Sequence, residues 1–599
     1  MGIQFDKQFW GTYSSKVYCT RRKLKRSDLN FIVEKAAGKK SKIVDRGFRR
    51  GLTLPKKSKY SFAIFCRKSP VNFLANSDLK ETHYGYILII ESGNYLFTFS
   101  RRARSFTESI SEFALPIEQD ILINGSLRSN SDIRRVRSSA FSAGTAGCRT
   151  RQYEGVGLQA SLGSLANSRS LLKAVAGKRN GRLTALTLSE SKITEYRPKS
   201  GLGEIAEWVG EMINEFLKTN KDKSAFVSSF AQSCKAEEAG DPVSILFHTW
   251  ELEELINERL SSAAFGYHLK KSTVLSVPEK RADKILQGIN TLLEFPYELV
   301  ADGTNQWKIV GDLDGAAREL GKILRKDGLF KIESTRLSKY FLREDGDIDR
   351  LPEIVTRSHA FSLSFKSPEF FHSSNITVRD SGITLSAELV LNAMESHVDL
   401  DQNKIDSEKG DRTENDMFGD KSIFKFIDDQ FRIPQSFLVC DDEGTEWADF
   451  ISFQGTNTPN IQFIHAKHKN NYSAGASPLH EVVSQALKNL GELHRTADYY
   501  KERNAKRWST VHPKLNCKRF RYLNGFETID SCIDQICLSS KSIRTVTIVV
   551  NFLSRSEFEK SIKKLDGSSP HLIQRVWLLS AFISTCKEVG VVPQILCSP

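Results

Sequence analysis

At 599 residues, with 86 lysines and arginines against 72 aspartates and glutamates, the chain carries a formal net charge of +14. Its 40% hydrophobic and 26% charged residues are typical of globular domains, which excludes a largely disordered chain. The longest apolar runs, such as Val576 to Ile583, are too short to span a bilayer, so we expect several packed domains and no membrane partner.

The positive charge is concentrated at the start of the chain. Residues 1–60 hold 17 lysines and arginines against 4 acids, a net +13 that leaves +1 for the remainder. Because lysine and arginine neutralise phosphates, we predict a nucleic-acid-binding arm; the alternative is a solvated terminus. The expected phosphate contacts lie in one short basic run: Arg21, Arg22, Lys23, Lys25 and Arg26.

Two domains are predicted before residue 400. Residues 1–200 are expected to form a basic, β-rich domain, in which Tyr86–Ile90 and Tyr95–Phe99 flank the turn signal of a hairpin. Residues 201–400 are expected to form a mixed α/β domain with a scaffold or recognition role. Its predicted elements are helices at 205–217, 250–260 and 282–295 and strands at 307–310 and 354–365.

An acidic segment separates these domains from the last one. Residues 401–417 hold six acids and three bases, and only Ile405 and Met417 are apolar. A segment of this composition cannot bury itself, so we predict an exposed linker. Residues 418–599 then form a C-terminal domain.

The C-terminal domain has the clearest pattern of elements. Its strands are predicted from short runs of β-branched or aromatic residues bounded by turn residues, and its helices from apolar positions at a 3.6-residue period. Ser477-Pro478 is a helix start, with Ser as the cap and Pro in the first turn. In chain order we predict a helix at 421–431, strands at 437–440, 447–453 and 461–467, a helix from Ser477, a strand at 545–552, a helix at 569–589 and an edge strand at 591–597.

Polar residues in these strands form a candidate metal-and-lysine site. Asp449 lies among apolar neighbours, while His465 and Lys467, two positions apart, share one face of the third strand. A carboxylate binds Mg²⁺ or Mn²⁺ through oxygen, and the metal with a lysine can stabilise charge developing on a phosphate. Glu446 and Asp442, on the preceding turn, are further candidate acids.

This arrangement resembles the PD-(D/E)XK nuclease superfamily, whose core runs helix, three strands, helix, strand. The resemblance covers roughly the last third of the chain. It maps the family's first acid onto Asp449 and its acid-x-lysine onto His465-Ala466-Lys467. The glutamine that some members carry on the next helix maps onto Gln485. Two departures stand out: a histidine replaces the second acid, and Asn489 stands where some members have tyrosine.

The resemblance implies an α+β multidomain protein with a β-rich N-terminal domain and a C-terminal α/β restriction-endonuclease-like core (αβββαβ). It implies a metal-dependent endonuclease that hydrolyses phosphodiester bonds, in DNA rather than RNA, with Asp449, His465 and Glu446 as ligands of Mg²⁺ or Mn²⁺. Lys467 is expected to position the water and to stabilise charge.

The chain also looks similar to long bacterial proteins of antiviral-defence type that carry such a core at the C-terminus. That similarity implies an effector of antiphage defence, which forms a homo-oligomer or works with a partner protein of the defence system. Ten scattered cysteines without a zinc pattern predict reduced thiols and a cytoplasmic location.

A second basic zone, residues 501–522, follows the central helix. Its cations are interleaved with aromatic residues, which suits a groove that contacts phosphates and stacks bases. The alternative is a helix-to-strand connection with ordinary surface charge. The residues expected to bind nucleic acid here are Lys506, Arg507, Trp508, Lys518 and Arg519.

Two other functions stay open from the sequence. The missing second acid at His465 favours a catalytically inactive nucleic-acid-binding or sensor protein that keeps the fold. The basic arm is also compatible with a structural subunit that docks an acidic protein. Divalent-dependent cleavage separates the nuclease from both, and salt-dependent binding without cleavage separates these two from each other.

Overall fold

The computed structural model shows a mixed α+β protein with two compact units. The first unit ends at Asp380, and the second runs from Ser381 to Pro599. Among the described residues, no helix is both long and apolar enough to cross a membrane. The structure describes residues 4–599 apart from residues 21, 39–40, 53–57, 72–77, 104–105, 128–131, 143–146, 159–169, 180, 219–225, 227–228, 261–263, 271–272, 277–278, 314–315, 327, 345–346, 368, 381–386, 388–389, 411–415, 471–475 and 564–569.

The first unit begins with an 11-stranded antiparallel sheet, so the predicted β-rich start of the chain is confirmed. Its strands are β1 (Ser14–Thr20), β2 (Lys42–Gly51), β3 (Lys59–Pro70), β4 (Lys80–Ser92), β5 (Tyr95–Arg101), β6 (Ala114–Pro116), β7 (Asp132–Ser142), β8 (Gly147–Glu154), β9 (Ser170–Arg179), β10 (Arg182–Thr187) and β11 (Lys192–Glu195). Their order is β2-β3-β4-β5-β1-β11-β10-β9-β7-β8, with β6 on β1. The predicted hairpin is present: β4 and β5 pair with Ser92 opposite Tyr95. Gly93 in its turn has a φ of +59°, which glycine adopts at low cost.

Helices cover the sheets of the first unit. They are α1 (Phe5–Gln8), α2 (Arg26–Ala37), α3 (Phe106–Ser111), α4 (Gln119–Ser126), α5 (Leu202–Lys218), α6 (Thr249–Leu260), α7 (Glu279–Leu293) and α8 (Leu351–Ser358). Helix α5 was expected to begin a separate domain. Instead, its Trp208 and Phe216 rings lie 6.2 and 6.1 Å from the Phe97 ring of β5, centroid to centroid. This packing corrects the predicted division at residue 200, because α5 completes the core of the first sheet.

Two further sheets complete the first unit. A nine-stranded sheet consists of β12 (Gln232–Ser233), β13 (Pro242–Phe247), β16 (Tyr297–Ala301), β17 (Gln306–Leu313), β18 (Ala316–Lys326), β19 (Leu329–Glu333), β22 (Phe361–Phe365), β23 (Phe370–Ser373) and β24 (Ile376–Arg379). A four-stranded sheet consists of β14 (Ala264–Lys270), β15 (Thr273–Ser276), β20 (Tyr340–Glu344) and β21 (Asp347–Arg350). The predicted strand at 354–365 is wrong in its first half. That half belongs to α8, where Leu351, Ile354 and Val355 are buried at helical spacing and Pro352 lies in the first turn.

The second unit is built on a seven-stranded mixed sheet with the order β25-β31-β30-β28-β27-β26-β29. Its strands are β25 (Met394–Ser396), β26 (Ser436–Cys440), β27 (Phe450–Gln454), β28 (Asn460–Lys467), β29 (Phe520–Asn524), β30 (Ile543–Ser554) and β31 (Val592–Ser598). Its helices are α9 (Ile423–Gln430), α10 (Ser477–Lys488), α11 (Ala497–Arg503), α12 (Ile529–Cys537), α13 (Arg555–Lys563) and α14 (Pro570–Glu588).

Helix α9, strands β26 to β28, helix α10 and strand β30 follow in this order along the chain, with α11, β29 and α12 between α10 and β30. Strands β26, β27 and β28 are antiparallel neighbours, whereas β28 and β30 are parallel and need a crossover, which contains α10. Phe463 and Val482 share one buried core with Ile548 and belong to the α10 face of the sheet. Phe424 and Ile464 share the core of the α9 face. Both faces of the central strands are therefore covered, which explains their long apolar runs.

Two expectations about this unit are corrected. Strand β31 is not an edge strand, because β25 pairs with it in parallel on its outer side. Residues 401–410 are not an exposed linker: Ile405 is 6% exposed in the α9 core, and Ser407 forms a bridge with Ser422. The buried isoleucine, the backbone pairing and ion pairs of Glu408 and Lys409 hold this acidic segment against the domain.

Candidate active site

Asp449 lies at the start of β27, directly before Phe450. The register pairs Phe450 with Ile464 of β28, and its extension by one position puts Asp449 opposite His465. The backbone N–H of Ala466 donates to Asp449 Oδ2 at 2.6 Å. The carboxylate is thereby held against β28, and only 8% of the residue is exposed.

Three carboxylates converge at this point. Asp442, Glu446 and Asp449 each offer one oxygen, and these atoms lie within 4.8 Å of one another. The loop between β26 and β27 carries all three, and it turns tightly because Glu446 Oε2 accepts the backbone N–H of Glu443 at 2.8 Å. We call these three residues the acidic cluster. It brings together the acids that the sequence marked as candidates.

Asp449 is the member of the acidic cluster whose pKa is raised. Burial raises the pKa of Asp449 well above its usual range, and the charge of Asp442 raises it further. Glu408 and Glu446 act in the same direction, while the N–H of Ala466 opposes them. The ionised form of Asp449 is therefore disfavoured unless a cation lies beside it.

Asp442 stays ionised although it is buried. Burial acts to raise its pKa, but hydrogen bonds from His512 and Lys409 outweigh that effect and lower the pKa to about 2. Lys409 Nζ lies 2.6 Å from Asp442 Oδ2, and His512 Nε2 lies 2.9 Å from the same oxygen. The acidic cluster thus contains one ion-paired carboxylate with a lowered pKa and one buried carboxyl with a raised pKa.

Lys467 extends from the end of β28 between two further acids. Its ammonium lies 2.7 Å from Glu481 of α10 and 3.7 Å from Glu408. Burial acts to lower the pKa of Lys467, but Glu481, Glu408 and Asp449 outweigh it, so the pKa is raised and the group stays charged. The structure therefore gives Lys467 both a fixed position and a positive charge beside the acidic cluster.

His465 shares the strand face of Lys467 but is not part of the acidic cluster. Its ring is 2% exposed, and burial lowers its pKa to about 3, with a smaller contribution from Lys488. The ring is therefore neutral at physiological pH. Its Nε2 has no hydrogen-bond partner among the described residues. The predicted role of His465 as a metal ligand is not supported by this geometry.

We expect that His465→Gln leaves the preference between Mg²⁺ and Mn²⁺ unchanged, because the acidic cluster holds oxygen ligands without it. The measurement is the apparent affinity for each ion, from thermal stabilisation and from cleavage rate. If His465→Gln changes the ratio of the affinities for Mg²⁺ and Mn²⁺ by tenfold or more, the imidazole is a metal ligand.

Helix α10 presents Glu481, Gln485 and Lys488 at successive turns toward β28. Glu481 contacts Lys467, and Lys488 lies close enough to His465 to lower its pKa. Gln485 is half-buried and lies between them along the helix. The catalytic role of Gln485 stays a prediction.

Glu408 and Lys409 are site residues that the sequence analysis missed. Both fall in the segment expected to be a linker, and both contact the site: Glu408 faces Lys467, and Lys409 pairs with Asp442. The one signal in the sequence was the isolated apolar Ile405, which anchors this segment in the core. Sequence spacing could not show the contacts, since about sixty residues separate Glu408 from β28.

In the second basic zone, three of the five residues that were predicted to bind nucleic acid have structural roles. Trp508 is 1% exposed, and its indole N–H donates to Asp441 Oδ1 at 2.9 Å. Arg507 donates to the same oxygen at 2.8 Å and to the backbone carbonyls of Asp442 and Glu443. Arg519 is 3% exposed and donates to the carbonyl of Asp442 at 2.6 Å.

These contacts correct the expectation that Arg507, Trp508 and Arg519 grip a nucleic acid. Their polar atoms are used to hold the loop of the acidic cluster, because the buried Asp441 at its start needs several donors. Lys506 and Lys518 are exposed and remain candidates for phosphate contact.

The basic run near the N-terminus is exposed in its described part. Arg22 pairs with Asp28 at 2.6 Å, whereas the side chains of Lys23, Lys25 and Arg26 face solvent. Arg21 lies outside the described residues. The run is folded into the first unit, since it connects β1 to α2.

Replacing Lys23, Lys25 and Arg26 by glutamine should weaken nucleic-acid binding and lower its salt slope by about 2 to 3 units, because each of these cations is expected to neutralise roughly one phosphate. Deletion of residues 1–60 is not a usable test, because it removes β1 and β2. Binding is measured against salt concentration for wild type and triple variant. Equal slopes would show that the run is a solvated surface. The matched control replaces three exposed lysines elsewhere: Lys199, Lys326 and Lys339.

The donor set of the acidic cluster fits a hard divalent cation. Three carboxylate oxygens within 4.8 Å are the ligands that Mg²⁺ and Mn²⁺ prefer. The pKa of Asp449 is raised first by burial and then by the neighbouring acids, so this carboxyl lacks a counter-charge. A divalent ion would supply that missing charge.

Comparisons with family models, with curated proteins and with solved structures found no match to this chain. The resemblance to the PD-(D/E)XK superfamily therefore rests on the residues of this chain alone. The acidic cluster and Lys467 are the residues whose geometry bears on function.

Proposed function

We propose that the second unit is a metal-dependent nuclease of the PD-(D/E)XK type, which hydrolyses phosphodiester bonds in DNA. The observation that carries the proposal is the acidic cluster, three carboxylates within 4.8 Å, with a charged lysine on the neighbouring strand. An antiphage-defence role and a cytoplasmic location belong to the same proposal and rest on the resemblance alone.

The acidic cluster also answers the main objection to an active enzyme. The motif has His465 in place of its second acid, which favoured an inactive protein. Glu446 and Asp442 lie beside Asp449 and supply the oxygen ligands that the histidine does not. An ion can therefore be held without His465, which favours catalysis over a role in binding alone.

Each residue has a distinct chemical task in this mechanism. Asp449, Glu446 and Asp442 would hold Mg²⁺ or Mn²⁺, and the bound ion supplies Lewis-acid stabilisation of phosphate oxygens and a more acidic water. Lys467 offsets the negative charge that develops on the phosphate in the transition state. Glu481 accepts from Lys467 at 2.7 Å and orients its ammonium.

The test is a cleavage assay with the full chain. Supercoiled plasmid, single-stranded DNA and RNA are each incubated with Mg²⁺, Mn²⁺, Ca²⁺ or EDTA. We expect cleavage of DNA with Mg²⁺ or Mn²⁺ and none with EDTA, because the carboxylates need the ion. Binding without cleavage in every metal would contradict the proposal and support a sensor.

A further inference from the structure

A cleft of about 570 Å³ borders the loop that carries the acidic cluster. Thr445 and Trp447 line the cleft, and Glu446, between them in the chain, belongs to the acidic cluster. The cleft and the candidate metal site are thus neighbours along a single loop. A ligand bound in the cleft would therefore lie close to the acidic cluster.

Planar side chains form a stack at this cleft. The rings of Trp447 and Tyr499 are nearly parallel, with 9° between their planes and 5.5 Å between their centroids. The guanidinium of Arg503 lies 3.9 Å from the Trp447 centroid, and that of Arg495 lies 4.5 Å from the Tyr499 centroid. Aromatic rings and guanidinium groups are the side chains on which unpaired bases stack.

The stack has a buried end and an exposed end. Trp447 is 7% exposed, whereas Tyr499 is 38% exposed, and the Arg495 side chain beside it is 47% exposed. Tyr499 is therefore the aromatic ring that a ligand reaches, once the exposed guanidinium of Arg495 moves from over it.

The floor of the cleft is rigid before any ligand arrives. Arg503 and Arg507 donate to the buried Asp441 at 2.6 and 2.8 Å, and the backbone N–H of Trp447 donates to the same carboxylate at 2.8 Å. Side chains fixed in this way lose little entropy on binding, which favours a functional surface.

The rim of the cleft carries one exposed cation. Four cationic residues line the cleft, but Arg503 and Arg507 are paired with Asp441 and Arg519 is buried, so Lys506 supplies the charge at the rim, beside one acid, Glu502. Lys506 is the exposed member, with 73% of its side chain accessible, and it is paired with Glu502 at the surface. An exposed pair of this kind is weak, so a phosphate can take the place of the carboxylate at small cost.

We infer that this cleft binds an unpaired nucleotide of single-stranded nucleic acid, with the base on Tyr499 and a phosphate on Lys506. Bases inside a duplex have both faces covered by their neighbours, so they cannot use the stack. The inference depends on the proposed function only in its last step, in which the bound strand continues across the loop to the acidic cluster.

Binding is tested without cleavage, in Ca²⁺ and again in EDTA, with the full chain and a single-stranded oligodeoxynucleotide that carries 2-aminopurine. We expect quenching of the probe on binding and weaker binding to the matching duplex. Tyr499→Leu, which keeps apolar volume but lacks a π face, should lower the affinity about tenfold or more. Lys506→Gln should lower the salt slope by about one unit, whereas Trp577→Ala, at an exposed tryptophan elsewhere in the domain, should change neither quantity.

The outcomes separate this inference from the proposed nuclease. Affinity for single strands that is unchanged in Tyr499→Leu overturns the inference, and so does equal binding of single strand and duplex. A free mononucleotide that competes as well as the oligonucleotide also overturns it, because the cleft is then a small-molecule site. If binding depends on Tyr499 but no metal supports cleavage, the inference is supported and the proposed nuclease activity is contradicted.

Discussion

Lys467→Ala is expected to lower the rate of cleavage by about 10²–10³-fold while the protein still folds and binds nucleic acid. The ammonium is held 2.7 Å from Glu481 and is charged, so its removal takes away the cation beside the acidic cluster. Stability should change by about 1 kcal/mol or less, since Glu481 is half exposed and such pairs are weak. Single-turnover cleavage at saturating protein separates the rate from binding.

Lys469→Ala is the matched control for this variant. Lys469 lies two residues further along the chain and is exposed, so its replacement removes the same charge without touching the acidic cluster. We expect a cleavage rate close to that of wild type. A rate in Lys467→Ala equal to that of Lys469→Ala would remove Lys467 from the mechanism.

Asp449→Asn is expected to abolish metal-dependent cleavage and, at the same time, to stabilise the metal-free protein at neutral pH. The pKa of Asp449 is raised in the folded state, so its contribution to stability is present below the unfolded value of about 3.9 and is lost as pH rises toward the folded pKa. Asparagine does not ionise and does not incur this loss. Each kcal/mol gained should raise the melting temperature by about 2–4 °C.

The measurement is thermal unfolding of wild type and Asp449→Asn from pH 4 to pH 8, in EDTA and in Mg²⁺ or Mn²⁺. The difference between the two proteins should grow with pH in EDTA. Added ion should stabilise wild type and leave the variant unmoved, because the ion replaces the proton on Asp449. Asp420→Asn, at an exposed acid, should behave as wild type throughout. Equal metal-dependent stabilisation of wild type and Asp449→Asn would show that the acidic cluster is not the metal site.

The sequence by itself determined the central elements of the second unit and three residues of its candidate site. Strand-length runs of buried apolar residues became β26, β27 and β28, and the apolar period after Ser477 became α10, because both faces of these elements meet a core. Alternation along β28 was enough to put His465 and Lys467 on one face. The same reasoning identified Asp449, since an acid among apolar strand residues needs a partner or a function.

Only the tertiary structure decided which charges are used and how. Trp508 is 67 positions from Asp441, so its hydrogen bond and burial could not be seen in a basic, aromatic run that locally suits a nucleic-acid groove. Glu408 contacts Lys467 because Ile405, the Ser407–Ser422 bridge and the Lys409–Asp442 pair anchor a segment that composition alone predicts to be exposed. Local sequence pattern indicates the period of an element and its average exposure. Ion pairing and burial depend on segments that folding brings together from far apart in the chain, so local pattern could not predict them.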